Sequence, residues 1–226
     1  MIGIFDSGVG GFCAYRQVRE MLPRENILYL ADRINSPYGT KSKDEILRFT
    51  KNNIKRLRAL GADRILIACC TASSMYQMLS HSEREIAMPI ITPAARLAAE
   101  GGKRIAVIAT RHTARTEVFS REIGRYGNHD VVEMAEQELV SMVEDGNRDG
   151  MITPECSEYL AAMADRIRRT EADTLVLGCT HFSHLEGEIG RLLPKIRIIS
   201  PAREGAKELV KKINPRRREG GRVTYM

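Results

Sequence analysis

Asp63-Arg-Ile-Leu-Ile-Ala-Cys69 returns 110 residues later as Asp173-Thr-Leu-Val-Leu-Gly-Cys179. Each copy has an Asp, a short apolar run and a cysteine six residues after the Asp, with a threonine soon after, at Thr71 and Thr180. A second pair lies upstream of these: Ile2–Phe5 runs into Asp6-Ser7, and Ile105–Ala109 runs into Thr110. Short apolar runs bounded by polar residues read as strands buried on both faces. The repeat therefore predicts two similar α/β halves, each carrying a cysteine at the carboxyl end of a strand.

Outward from the repeat, Ile27–Ala31 and Ile196–Ile199 read as further strands, beside Ile65–Ala68 and Leu175–Leu177 within the repeat itself. Amphipathic helices alternate with them. From Lys43 to Leu60, Ile46, Phe49, Ile54, Leu57 and Leu60 form one apolar stripe. Ser42 with Glu45 makes a capping box at its start, and Gly61 supplies its stop. Another helix opens with Thr153 as cap and Pro154 in its first turn, with Tyr159, Leu160, Met163 and Ile167 facing inward. This alternation predicts an α/β fold of two similar domains, with mostly parallel sheets flanked by helices and the site in the cleft between them. The division expected is residues 1–92 with 199–226, and residues 93–198.

Composition narrows the class. The 226 residues are 43% hydrophobic and 28% charged, as in a soluble globular protein. The longest apolar runs are too short to span a bilayer, and Met1 leads into Ile-Gly-Ile-Phe-Asp without a basic leader, so a cytoplasmic location is expected. The five cysteines, Cys13, Cys69, Cys70, Cys156 and Cys179, are odd in number and widely spaced, with no C-x-x-C pair. They read as reduced thiols, neither a disulfide framework nor a metal site. The net charge of +6 is concentrated at residues 211–222, where six cations stand against Glu219 alone. With no nucleic-acid-binding motif beside it, that stretch reads as a solvated tail, and neither nucleic acid nor membrane is expected as a partner.

Ligands of open α/β sheets bind beyond the carboxyl ends of the strands. Asp6-Ser7, Asp32, Cys69-Cys70-Thr71, Thr110 and Cys179-Thr180-His181 all follow strands. A thiol there, next to helix N–H groups, is expected to have its pKa lowered toward neutrality. Two weakly acidic groups on opposite sides of one carbon can remove a proton from one face and deliver another to the opposite face. The glycine-rich Ser7-Gly8-Val9-Gly10-Gly11 loop lacks the third glycine of a dinucleotide fingerprint, and Asp6 before it disfavours a phosphate.

At these residues the chain resembles the glutamate racemases of the aspartate/glutamate racemase superfamily. Ile2-Gly-Ile-Phe-Asp-Ser-Gly-Val-Gly-Gly11 is similar to the family's opening motif. Ser36-Pro-Tyr-Gly-Thr-Lys-Ser42, Ala68-Cys-Cys-Thr-Ala-Ser73 and Leu175-Val-Leu-Gly-Cys-Thr-His181 are similar to its later motifs, in family order. The resemblance implies cofactor-independent racemization of glutamate, supplying D-glutamate for peptidoglycan. It implies no metal or cofactor, and it makes a homodimer an arrangement to expect. By the same resemblance Cys179 takes the proton from L-glutamate and Cys69 from D-glutamate, with Asp6 and His181 assisting the thiols and the substrate amino group. Ser7, Thr71 and Thr180 would contact the substrate's polar ends, and Cys70 stands where the family's Asn would face it. The loop Pro37-Tyr38-Gly39 would hold the side-chain carboxylate through the backbone N–H groups it carries, with Pro37 supplying none, and Thr113 and Glu144 complete the set. The chain departs from the family's pattern at Cys70, at Asn35 in place of Arg, and at Phe182-Ser183 in place of Tyr-Pro.

Two alternatives stay open at this level. The same two-thiol chemistry could act on another amino acid or small acid, since Cys70 and Asn35 alter the surroundings of the pocket. A non-catalytic homologue that binds a small ligand is the other, and oxidation of the vicinal Cys69–Cys70 pair is a weaker third.

Overall fold

Among the described residues there are nine short strands: β1 (Ile2–Asp6), β2 (Ile27–Ala31), β3 (Arg64–Ile67), β4 (Ala87–Pro89), β5 (Arg104–Ala109), β6 (Asp130–Ala135), β7 (Thr174–Gly178), β8 (Arg197–Ile199) and β9 (Val223–Tyr225). The computed structural model describes residues 1–147, 150–213 and 223–226. The strands form two sheets, ordered β4-β3-β1-β2-β9 and β6-β5-β7-β8, and every pairing is parallel. Helices flank both sheets, so the architecture is two parallel-sheet α/β domains. Reading the second sheet from β8 gives β8-β7-β5-β6, the same order as β4-β3-β1-β2. In this correspondence β1 matches β5 and β3 matches β7, which is the pairing of the two sequence repeats.

Parallel strands covered on both sides alternate their side chains between two apolar layers. Along β1, Ile2 and Ile4 face one cluster and Phe5 another; along β5, Ile105 and Val107 face the first and Ala106 and Ile108 a third. Among the described residues the first cluster is shared by both sheets, and each sheet has one further cluster of its own. The two halves are therefore joined by a continuous core as well as by the chain.

Local signals account for the main helices. Lys43–Ala59 opens with the expected capping box: Ser42 Oγ accepts from Glu45 N, and Glu45 Oε2 accepts from Ser42 N at 2.9 Å. Its stripe buries Ile46, Ile54 and Leu57 and stops there, leaving Leu60 exposed. Gly61 follows at φ +93°, a conformation that costs glycine little. Pro154–Arg169 is capped by Thr153, whose hydroxyl accepts from Cys156 N at 3.3 Å. The helix Pro201–Lys212 packs against both Phe12–Met21 and Ile91–Ala99. Lys211 and Lys212, the start of the basic stretch, end this helix near Glu208, while residues 214–222 lie outside the described residues. No helix among the described residues is long and apolar enough to cross a membrane.

Gly205 permits the close approach of this last helix. A Cβ there would stand 2.4 Å from Ile90 Cγ2 and 3.2 Å from Ile90 Cα, so side chain and backbone would both have to move. Gly205→Ala is expected to destabilise the protein by about 1–3 kcal/mol, as overpacked cores do. The check is a lower urea midpoint with an unchanged slope; an unaltered midpoint would show that the contact yields freely.

Candidate active site

The site assembles where β1, β3, β5 and β7 end. Asp6, the last residue of β1, is wholly buried. Its Oδ1 accepts from Gly8 N at 2.7 Å, and its Oδ2 accepts from the Thr180 hydroxyl at 2.9 Å. The second bond spans the two halves. Burial pushes the Asp6 pKa up, and the neighbouring His181 together with the Gly8, Thr180 and Gly11 donors only partly oppose that shift. The glycines after Asp6 serve close approach. A Cβ on Gly10 would lie 2.6 Å from both His181 N and Thr180 Oγ1, and one on Gly11 would lie 2.4 Å from Asp6 Cβ.

Cys69 and Cys179 occupy equivalent positions. Each follows its strand in an extended conformation, with φ and ψ of −125° and 122° at Cys69 and −140° and 136° at Cys179, and each starts a short helical segment. Both are 4% exposed. Each belongs to the apolar cluster private to its own half, whereas Cys70, one residue on, turns to the cluster shared by both sheets. Of the adjacent thiols, Cys69 is thus the counterpart of Cys179. Cys70 shares its cluster with residues such as Ala68 and Ile90.

The surroundings of the two thiols differ. Cys69 Sγ lies 3.5 Å from Ser7 Oγ and accepts from Ala72 N at 3.5 Å. Burial, followed by the charge of Asp6, pushes its pKa up to about 12 against the pull of those two donors, with Cys179 raising it further. The expected lowering toward neutrality does not occur at Cys69. Its helix, Cys70–Ser73, is only four residues long, and one N–H bond does not offset complete desolvation. Cys179 Sγ instead lies 3.6 Å from His181 Nδ1, and His181 Nε2 lies 3.1 Å from Glu144 Oε1. Burial alone would depress the imidazole, but Cys179, Glu144 and Asp6 outweigh it and raise its pKa to about 10. In turn the His181 hydrogen bond holds the Glu144 carboxyl below its ordinary value despite partial burial, with Ser36 helping.

The remaining candidates fall into two groups. Thr71 Oγ1 lies 3.0 Å from Thr110 Oγ1 and 3.2 Å from Thr113 Oγ1, while Thr110 and Thr113 are 2.9 Å apart. This buried triangle of hydroxyls bridges the halves. The Ser36–Thr40 loop approaches it: a Cβ on Gly39 would stand 2.7 Å from Thr110 Cβ and 2.6 Å from Gln137 Oε1. Tyr38 is buried beneath, its hydroxyl donating to Asp32 Oδ2 at 2.5 Å. Pro37 O accepts from the Thr40 hydroxyl at 3.1 Å.

Thr110 was legible in the sequence as a polar residue just after β5, though with no assigned role, while two other members of this constellation, Ser36 and Gln137, were absent from the candidate set. Ser36, which donates to Glu144 Oε1 at 3.2 Å, had a signal only in its place within a family motif. Gln137, which accepts from Arg111 N at 3.1 Å, had none, because its place depends on how the two halves meet.

Two buried thiols thus stand at matching strand ends, one from each half. Known proteins are similar to this chain along nearly its whole length. A glutamate racemase from Gloeobacter violaceus is 36% identical over 222 residues, covering 96% of this chain and 82% of its own. The crystal structure of a Bacillus anthracis glutamate racemase superposes with a TM-score of 0.89 at 27% identity, covering 100% of this chain and 87% of its own. That of the Francisella tularensis glutamate racemase in complex with D-glutamate gives 0.84 at 27% identity, with 99% and 87% covered. The sequence profile of the Asp/Glu/hydantoin racemases matches residues 14–209, from the first helix to the last. With that match added to the duplicated sheets and the paired thiols, the chain belongs to the Asp/Glu/hydantoin racemase family of isomerases.

Proposed function

We propose that the protein interconverts L- and D-glutamate without metal or organic cofactor, one of Cys179 and Cys69 removing the α-proton and the other delivering its own proton to the opposite face, and so supplies D-glutamate for peptidoglycan. The observation that carries this reading is the equivalence of the two thiols at the ends of β3 and β7. The surroundings of the two thiols are unequal. Cys69, its pKa raised to about 12, is a thiol at neutral pH and can donate. Cys179 faces the charged His181 imidazole at 3.6 Å, and the family resemblance makes it the base toward L-glutamate.

In the L-to-D direction the Cys179 thiolate takes the α-proton, and the C–H electron pair passes onto the α-carbon and its carboxylate. The Cys69 S–H then delivers its proton to the opposite face. This leaves Cys179 as thiol and Cys69 as thiolate, the state that starts the reverse reaction. Asp6 faces the ammonium group, and Ser7, Thr71, Thr180 and Thr113 receive the carboxylate ends. The backbone of Pro37–Gly39 receives the distal carboxylate. The two domains that enclose the substrate are residues 1–92 with 199–226 and residues 93–198.

The test of substrate is circular dichroism of L-glutamate, D-glutamate and aspartate incubated separately with the reduced protein. Both glutamate signals are expected to decay to zero while aspartate persists. Decay with aspartate alone would assign the site to the shorter acid, and decay with neither would leave a binding role. A second check concerns the adjacent thiols: Cys70→Ala is expected to lose at least about 100-fold less activity than Cys69→Ala, because only Cys69 lies at the position equivalent to Cys179. Equal losses in the two variants would contradict the assignment.

A further inference from the structure

Asp32 follows β2, is 7% exposed and lies outside the thiol machinery, yet its carboxylate gathers three side chains. Asn35 Nδ2 donates to both oxygens at 2.8 and 3.0 Å, the Tyr38 hydroxyl to Oδ2 at 2.5 Å, and Asn53 Nδ2 to Oδ2 at 3.3 Å. A buried carboxylate is tolerated only when donors of this kind surround it. Asn53 Nδ2 also donates to the Tyr38 hydroxyl at 3.0 Å, which leaves the phenolic proton directed at Asp32. Burial and the Asp32 hydrogen bond raise the Tyr38 pKa, so the hydroxyl remains a donor at any working pH. Two of the three partners, Asn35 and Tyr38, lie in the segment that leads into and forms the Ser36–Thr40 loop. On its far side Gly39 abuts Gln137 and Thr110. The loop backbone is thus clamped between the Asp32 cluster of one half and the second half. Asp32 N also donates to Asp6 O at 2.9 Å, tying the cluster to the strand end that carries the site.

We propose that Asp32 is a positioning residue that sets substrate length: through Tyr38 it fixes where the Pro37–Gly39 backbone meets the distal carboxylate, and so selects a five-carbon over a four-carbon dicarboxylic amino acid. The proposal rests on the glutamate reading above. Hydrogen bonds to a charged, buried group have large effects when one partner is removed. Asp32→Asn keeps the shape and removes the charge; Tyr38→Phe removes the hydroxyl and keeps the ring, and serves if the first variant folds poorly.

The experiment measures kcat and KM for glutamate and aspartate in both variants and in the double variant, with amide hydrogen exchange of residues 38–41 in the unliganded proteins. Each single variant is expected to raise KM for glutamate by about tenfold or more while kcat stays within about threefold. The preference for glutamate over aspartate is expected to narrow, and the double variant to be no worse than the poorer single, as for residues acting through one contact. Exchange is expected to accelerate at residues 38–41 in Asp32→Asn. A KM unchanged in both singles, or losses that multiply in the double, would overturn the proposal. If the wild-type protein proves inactive on glutamate, the functional reading fails separately and the exchange data decide the positioning role: faster exchange confined to the loop upholds it, and unchanged exchange refutes it.

Discussion

Cys69→Ala and Cys179→Ala are each expected to lower kcat/KM for racemization by about 10²–10⁴-fold or more, the range over which a positioned proton donor or acceptor contributes. Both thiols are needed for inversion, because a proton removed from one face must be replaced from the other. Since the enantiomers have equal free energy, kcat/KM must be the same in both directions for every variant, so ordinary kinetics cannot say which thiol serves which enantiomer. Residual exchange can. Cys69→Ala retains the base for L-glutamate, so any α-proton exchange it still catalyses is expected from L-glutamate, with retention. Cys179→Ala is expected to show the mirror result with D-glutamate. Both side chains are small and buried, and the folded state is checked by thermal unfolding. A Cys69→Ala protein that racemizes at the wild-type rate would falsify the two-thiol reading.

The second large effect is expected at the chain Cys179–His181–Glu144. His181→Asn removes the cation beside Cys179 and is expected to cost about 10²-fold in kcat/KM. The pH dependence carries the sharper signature. The folded pKa of His181 is raised to about 10, so its positive charge is present through neutrality and is lost as pH climbs through that value. By linkage, the stability contributed by its partners is complete below the ordinary histidine range and disappears over the same alkaline interval. The wild-type profile should therefore lack a step near the usual imidazole pKa, about 6.5, and fall on the alkaline side. Glu144→Gln removes one of the charges that hold the imidazolium, and is expected to move the alkaline limb toward neutral pH by about one unit or more. A limb that stays in place in Glu144→Gln would assign it to another group.

The sequence was most readable where both faces of an element are buried. β1, β2, β3, β5 and β7 stand within a residue of their apolar runs at either end, because a strand covered on both sides needs an unbroken run and little else. β6, Asp130–Ala135, is interrupted by Glu133 at the sheet edge and gave no such run, and β4 and β9 are three residues each. The repeat around Cys69 and Cys179 was legible as spacing, and its meaning is the matching strand order of the two sheets.

The electrostatics were not legible. A cysteine before a helix suggested a lowered pKa, but whether burial or the helix prevails depends on how completely the folded chain covers Cys69. Likewise the partnership of Glu144 with His181 joins residues 37 positions apart, and the clamp on Gly39 by Gln137 joins the two halves. No local pattern encodes either contact, and the second depends on how the two halves meet.

The most direct test of the two-thiol reading is a short incubation of the reduced protein with L-glutamate and, separately, D-glutamate in D₂O, with both enantiomers recovered and their α-positions examined by NMR. Two separate thiols require that product of inverted configuration carry deuterium from the first turnovers while unreacted substrate remains protiated. Inverted product that retains the substrate's own hydrogen, or deuterium appearing equally in substrate and product from the outset, would mean that a single group handles the proton on both faces.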